Sequence, residues 1–277
     1  MGAETAQDQL SEALAADLVG LARSLAQAAG EVLRARPTDL GVTTKSTPTD
    51  VVTVMDRAAE QVILTGLART RPDDAVISEE SAASSGATGV TWLVDPLDGT
   101  VNYLYGIPEY SVSIAAEVDG VLAAGVVLDV EHRIIYSATC GGGATRDGEP
   151  ISCTSETDLA QTLLATGFGY DIELRSVQAR SMVRVLPAVR DIRRHGSAAL
   201  DLCAVASGQV DAFFESGMHK WDWAAGALIA REAGARVDGL EGRPPGRHTT
   251  LAANPVLFDR LHDLLVVSKA DGPSPQR

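Results

Sequence analysis

Leu10, Leu14, Leu18, Leu21 and Leu25 recur at helical spacing in an Ala-rich background, which predicts an amphipathic helix over residues 10–33, terminated by Pro37. After the polar loop GVTTKSTPTD, a second helix is predicted over residues 52–70 and is closed by Arg71-Pro72. The period then shortens. AVIS and TWLVD read as strands separated by the loop SAASSGATG, and SVSIAAEV, VLAAGVVLDV and HRIIYSAT form a meander, with Asp119-Gly120 and Asp147-Gly148 as hairpin turns. Beyond residue 155 strands and helices alternate. QTLLATG is a strand, residues 173–189 a helix, DIRR a short strand, and Ser197 caps an Ala-rich helix that runs to residue 207. VDAFFES, a helix over 221–233, TTLAAN and a helix over 254–267 complete the series. The predicted fold class is α/β with an α+β N-terminal half: residues 1–154 with the meander, residues 155–268 as the α/β half, and 269–277 as a disordered tail.

One strand breaks the pattern. In WLVDPLDGTVNY (92–103) an apolar run drives straight into Asp95, Pro96, Leu97 and Asp98. Unpaired charge at the end of a core strand costs several kcal/mol, so solvent, helix amides or a bound cation must compensate it. Other acids also stand at element ends: Asp56, Glu79, Glu80 and Asp222. Oxygen ligands without Cys or His favour a hard cation such as Mg²⁺ or Mn²⁺. Pro96 stiffens the turn, the Leu97 carbonyl faces the same space, and the amides of Gly99 and Thr100 suit a phosphate. Taken singly, Asp222 also fits a helix N-terminal carboxylate, Glu79-Glu80 a solvated pair, and Asp56 a first-turn helix residue.

Composition narrows the partners. Net charge is −14, with 37 acidic against 23 basic residues and no basic block, which argues against nucleic acid and implies that an anionic substrate needs a cation to mediate its binding. The three cysteines, Cys140, Cys153 and Cys203, show neither CxxC spacing nor close pairing. The N-terminus is acidic and amphipathic, and Ala6 stands where a myristoylation site needs Ser or Thr. No apolar run approaches the ~20 residues of a membrane span, so no membrane role and a cytoplasmic location are expected. Several other patterns fail. The acids at 95–99 do not alternate as an EF-hand requires, Cys140-Gly141-Gly142-Gly143 lacks the following Gly-Lys and reads as a hairpin, and His195, His219 and His248 face no Ser or Cys elbow.

Read together, KSTPTDVVTVMD (45–56), SEES (78–81), WLVDPLDGTVNY, GSAALDLC (196–203) and WDWAAGALIAREAGARV (221–237) resemble the inositol monophosphatase family of Mg²⁺-dependent, lithium-sensitive phosphatases, over nearly the whole chain. The resemblance implies a layered αβαβα sandwich, two or three Mg²⁺ ions per site and a homodimer. It assigns Glu79, Asp95, the Leu97 carbonyl, Asp98 and Asp222 as metal ligands, and Glu80 as an acid holding water beside them. Thr100 and Glu79 would orient the attacking water, with Asp56 bonded to Thr100. Gly99 and Thr100 amides would hold phosphate, and Gly196, Ser197, Ala198 and Glu215 would contact the inositol ring. Lys45 falls in a mobile loop that closes over the site. Ser78 departs from the family's usual Gly, which matters only if its φ is positive. His219-Lys220 would place a cation beside the substrate.

The expected activity is hydrolysis of myo-inositol 1-phosphate, a small phosphate monoester. Histidinol phosphate is the nearest rival substrate, followed by fructose 1,6-bisphosphate and 3′-phosphoadenosine 5′-phosphate. A protein-partner role with a vestigial metal site is the alternative from another class; the full set of acids counts against it.

Overall fold

The computed structural model describes residues 12–45, 47 and 50–270. Residues 10 and 11 of the predicted N-terminal helix, the myristoylation test at Ala6 and most of the predicted tail lie outside the described residues. Helix α1 (Glu12–Arg34) buries a stripe of Ala15, Leu18, Ala22, Leu25, Ala26, Ala29 and Leu33. A two-residue hairpin, β1 (Thr43–Thr44) with β2 (Val51–Val52), precedes α2 (Val54–Thr70). α2 starts later than its periodicity predicts because Val51 and Val52 are taken by the hairpin and Thr53 caps the helix, in a capping box with Asp56.

Seven strands follow in sequence order in one sheet: β3 (Ala75–Ser78), β4 (Val90–Asp98), β5 (Ser111–Val118), β6 (Val121–Asp129), β7 (Ile134–Thr139), β8 (Ala144–Arg146) and β9 (Glu149–Pro150). β3 runs parallel to β4 and the rest are antiparallel. Both predicted Asp-Gly turns are present, with φ of 50° and 83° at Asp119 and Gly120 and of 52° and 87° at Asp147 and Gly148, as a two-residue hairpin requires. The glycine-rich Cys140–Gly143 segment is a hairpin turn, and the Glu232 carboxylate fills it by accepting from the amides of Gly141 (2.8 Å) and Gly143 (2.9 Å).

The second sheet contains β10 (Leu163–Thr166), β11 (Asp191–Arg193), β12 (Ala212–Glu215), β13 (Arg236–Asp238) and β14 (Thr250–Ala253) in the order β11-β10-β12-β14-β13. β11, β10 and β12 are parallel, while β14 and β13 are antiparallel additions, so this half is a mixed sheet rather than a purely alternating one. The remaining helices are α3 (Thr100–Tyr105), α4 (Ile172–Val185), α5 (Ala198–Ala206), α6 (Lys220–Glu232) and α7 (Pro255–Ser268). The helix predicted over 173–189 divides, because Pro187 turns its last residues into a 3₁₀ segment, Leu186–Ala188.

The layers run α1 with α2, the seven-stranded sheet, α5 with α6, the five-stranded sheet, and α4 with α7, which is the αβαβα sandwich. Gly125 on β6 lets α6 approach closely, since a Cβ there would stand 2.9 Å from the Ala225 carbonyl oxygen. This close seat brings the start of α6, and Asp222 with it, down onto the sheet. Among the described residues no helix is long and apolar enough to cross a membrane.

Asp74 pins the edge of the large sheet. Its carboxylate accepts from Arg71 Nε (2.7 Å), Thr88 Oγ1 (2.6 Å) and the indole Nε1 of fully buried Trp92 (2.9 Å). Burial alone would raise its pKa, but these hydrogen bonds and the Arg71 charge outweigh it and hold the group below its ordinary 3.8. A depressed folded-state pKa contributes stability above the unfolded value and loses it as pH falls through the folded one. Asp74→Asn is therefore expected to lose about 2–4 kcal/mol at neutral pH, with the difference from wild type shrinking below pH 4, as read by urea denaturation at several pH values.

Candidate active site

The stretch that breaks the strand pattern is the centre of the acid cluster. β4 continues through Pro96 to Asp98, further than the sequence pattern predicts. Its pairing with β5 passes from Asp95↔Ser113 to Asp98↔Ser111, so β4 carries one extra residue there and bulges. Pro96, with no N–H to give the ladder, stands in the bulge, and the Leu97 amide donates instead to Asp95 Oδ1 at 3.0 Å. The bulge lets Asp95 and Asp98 leave the regular alternation. Gly99 follows with φ of 96°, and a Cβ on it would lie 2.9 Å from the Glu109 carbonyl oxygen. Only glycine makes that turn, and α3 begins at once with Thr100.

Thr100 Oγ1 lies 2.9 Å from Asp56 Oδ1 and 3.1 Å from the Leu97 carbonyl oxygen. Asp56, fully buried on α2, accepts on its other oxygen from the Thr53 amide (2.8 Å) and hydroxyl (2.6 Å). Glu79 extends the β3–β4 pairing by one amide bond, to the Val94 carbonyl at 3.2 Å. The Lys45 ammonium bridges Glu79 Oε1 (2.8 Å) and Glu80 Oε1. Burial works against that ammonium, but the two glutamates outweigh it and hold its pKa above the ordinary lysine value. Ser78 has no positive φ, so the chain needs no glycine there.

The second half contributes from three places. Ser197, the N-cap of α5, donates from Oγ to Asp98 Oδ2 at 2.6 Å, and the Ala199 amide reaches the same oxygen at 2.8 Å. Gly196 turns with φ of 98° above Asn102, whose amide nitrogen donates to the carbonyls of Glu109 and His195, both at 2.7 Å. Asp222, third residue of α6, accepts from the His219 amide at 2.7 Å and so doubles as a helix cap. Glu215 closes β12 over Gly167, where a Cβ would collide with its carboxylate.

Like charges crowd here. Burial first, and then the charges of Glu79, Asp98 and Asp222, push the Asp95 pKa well above its ordinary value. Asp222 is raised in the same way by burial, Glu79 and Asp98. Asp98 rises only to about 6, because bonds from Ser197 and Ala199 offset part of the burial. Burial followed by Asp201 and Asp98 lifts Glu215 to about 8. Beside the cluster, Lys220 is engaged by Glu117 at 2.6 Å, and His219, stacked on Trp221 at 4.6 Å, has its pKa lowered by burial and by Arg247. His219, Lys220 and Arg247 line one cavity there together.

The sequence profile described as "Inositol monophosphatase family" matches residues 15–270. The chain belongs to the inositol monophosphatase family. Mycobacterium tuberculosis inositol-1-monophosphatase SuhB is 44% identical over 276 residues, covering 96% of this chain and 94% of that protein. The Nus factor SuhB of Escherichia coli K12 is 40% identical over 195 residues, covering 70% of this chain and 73% of its own. Among solved structures, the extragenic suppressor protein suhB of Bartonella henselae superposes with a TM-score of 0.84 at 33% identity, over 89% of this chain and 97% of that one.

Inositol monophosphatase family members are generally metal-dependent, with Mg²⁺ as the ion. The donor set fits such an ion: it offers carboxylates without His or Cys, and burial and neighbouring acids raise the pKa of Asp95, Asp98 and Asp222. As arranged, no three such side chains among the described residues converge closely enough to grasp a metal, and Lys45 is the cation in contact with Glu79. Sequence reading missed Asn102, the Asp98-directed hydroxyl of Ser197, and Ser111, whose hydroxyl lies 3.2 Å from that of Ser197. Asn102 and Ser197 lie inside recognised motifs, but their partners are set by contacts across the two halves.

Proposed function

We propose that the chain is a Mg²⁺-dependent phosphomonoesterase that hydrolyses myo-inositol 1-phosphate to inositol and phosphate. The observation that carries this reading is the crowding of Asp95, Asp98 and Asp222, whose pKa values burial and neighbouring acids raise, with Glu79 beside the Gly99–Thr100 helix start. Glu79, Asp95, the Leu97 carbonyl, Asp98 and Asp222 would hold the ions, with Glu80 beside them. When bound, two or three Mg²⁺ ions supply Lewis acidity that activates water and offsets charge on the phosphoryl and leaving oxygens.

The chain's own groups do the positioning. The Gly99 and Thr100 amides receive the phosphate at a helix start. Thr100, held by Asp56, orients the attacking water together with Glu79 for in-line displacement. Lys45 sits on the loop that would close over the bound ester, and its ammonium, on Glu79 and Glu80, would share Glu79 with any ion held there. The backbone of Gly196, Ser197 and Ala198 and the carboxyl of Glu215 take the ring hydroxyls, while the Ser197 hydroxyl stays on Asp98. The protein works as a homodimer in this reading.

Phosphate release from a panel with Mg²⁺ tests the substrate. Myo-inositol 1-phosphate is expected to lead in kcat/KM; preference for histidinol phosphate, fructose 1,6-bisphosphate or 3′-phosphoadenosine 5′-phosphate overturns the assignment and keeps the phosphatase. A second reading is favoured by the E. coli relative called a Nus factor, namely a protein-partner role. An Asp98→Asn chain that restores a deletion strain without releasing phosphate would support it.

A further inference from the structure

We infer that Glu60 is a positioning residue that fixes the 78–81 loop and, through it, the reach of Glu79 into the acid cluster. α2 carries two buried acids four residues apart, Asp56 at 0% exposure and Glu60 at 5%, so both lie on one face of the helix. Asp56 holds Thr100. Glu60 does the matching work on the neighbouring loop, where its carboxylate accepts from the Ser78 hydroxyl, the Ser81 hydroxyl (2.6 Å) and the Glu80 amide (3.2 Å).

These donors bracket Glu79 on both sides. With the Glu79 amide already bonded to the Val94 carbonyl at 3.2 Å, the loop is tied to α2 and to β4 at once and has no free hinge. Glu60 has no ion-pair partner among the described residues, so the hydroxyls and the amide are what compensate its buried charge. The Ser78 that replaces the family's glycine thereby has a task, since without its hydroxyl Glu60 Oε1 would keep the Glu80 amide alone. One helix face thus sets the distance between Thr100 and Glu79, the two groups assigned to the attacking water. The inference rests on the reading of Glu79 as a cation ligand given above.

The test compares wild type, Glu60→Gln, Ser81→Ala and Asn254→Ala, the last removing the N-cap of α7, whose hydrogen bonds run to Leu257 and Glu156, as a stability control. Three quantities are measured: melting temperature, amide hydrogen exchange at residues 79–81 in metal-free protein, and affinity for Mn²⁺ alone by calorimetry. Glu60→Gln is expected to speed exchange at 79–81 and to weaken Mn²⁺ about 10- to 100-fold, as loss of a group that orients a ligand does. Ser81→Ala should move both in the same direction by less, and it carries the test if Glu60→Gln does not fold. Asn254→Ala should lower the melting temperature and change neither. Unchanged exchange, or Mn²⁺ affinity equal to that of Asn254→Ala, overturns the role of Glu60. A wild-type protein that binds no Mn²⁺ overturns the cation reading itself and the inference with it, a result distinct from wild type binding and Glu60→Gln binding equally well.

Discussion

Asp95→Asn is expected to abolish phosphate release while raising the melting temperature of the metal-free protein. Asn is close to isosteric, and its side-chain oxygen can keep the bond from the Leu97 amide seen at 3.0 Å. What changes is charge. Asp95 is 2% exposed and faces the charges of Glu79, Asp98 and Asp222, so removing it relieves repulsion that the free protein cannot screen. A gain of about 1–3 kcal/mol is expected in the absence of metal, read as an upward shift in melting temperature. The same lost charge weakens the grip on a cation whose stabilisation of the reaction is several kcal/mol, so kcat/KM should fall by at least about 10³-fold. With saturating Mg²⁺ the order of stabilities should reverse, because wild type gains binding energy that the variant lacks. A variant that is less stable without metal and still active would place Asp95 in the structural core and outside the chemistry.

Thr100→Val should leave substrate binding nearly intact and remove turnover. The Thr100 amide at the start of α3 is untouched, so KM for the phosphate ester should change by less than about threefold. The hydroxyl, 2.9 Å from Asp56 and 3.1 Å from the Leu97 carbonyl, is gone, and with it the group proposed to align water. kcat is expected to fall about 10²- to 10⁴-fold. Stability should drop by about 1–3 kcal/mol, since the buried Asp56 Oδ1 loses its donor. Thr100→Ser, which keeps the hydroxyl, should recover most of both losses. Steady-state kinetics and chemical denaturation of the three proteins separate these effects, and full activity in Thr100→Val would remove the hydroxyl from the mechanism.

Local chemistry made much of this molecule legible in the chain. The Asp119-Gly120 and Asp147-Gly148 turns and the Ser197 cap depend on neighbours within a few residues, and each is found where the pattern puts it; the helix read from the Leu spacing is present as α1, which buries Leu18 and Leu25 with a row of alanines while Leu14 and Leu21 are half-buried. Pro187 and Thr53 shift helix ends by a few residues for equally local reasons. Strand β13 and helix α3 were not legible. β13 is three residues long and exists by pairing with β14, while the six residues of α3 owe their start to the glycine turn. Within the site, the acids stood out because charge at the end of an apolar strand needs a reason. Their supports did not: Ser197 reaches Asp98 across 99 positions of sequence, and Glu60 reads as one more polar residue on a surface helix until the 78–81 loop folds over it.

Phosphate release from myo-inositol 1-phosphate, followed while Mg²⁺ is removed by EDTA and then restored, bears most directly on the reason two aspartates end a buried strand. Release should fall to background in EDTA, return in proportion to added Mg²⁺, and be absent at every Mg²⁺ concentration in Asp95→Asn. Release that persists in EDTA, or that Asp95→Asn sustains at the wild-type rate, would show that these acids serve something other than a cation.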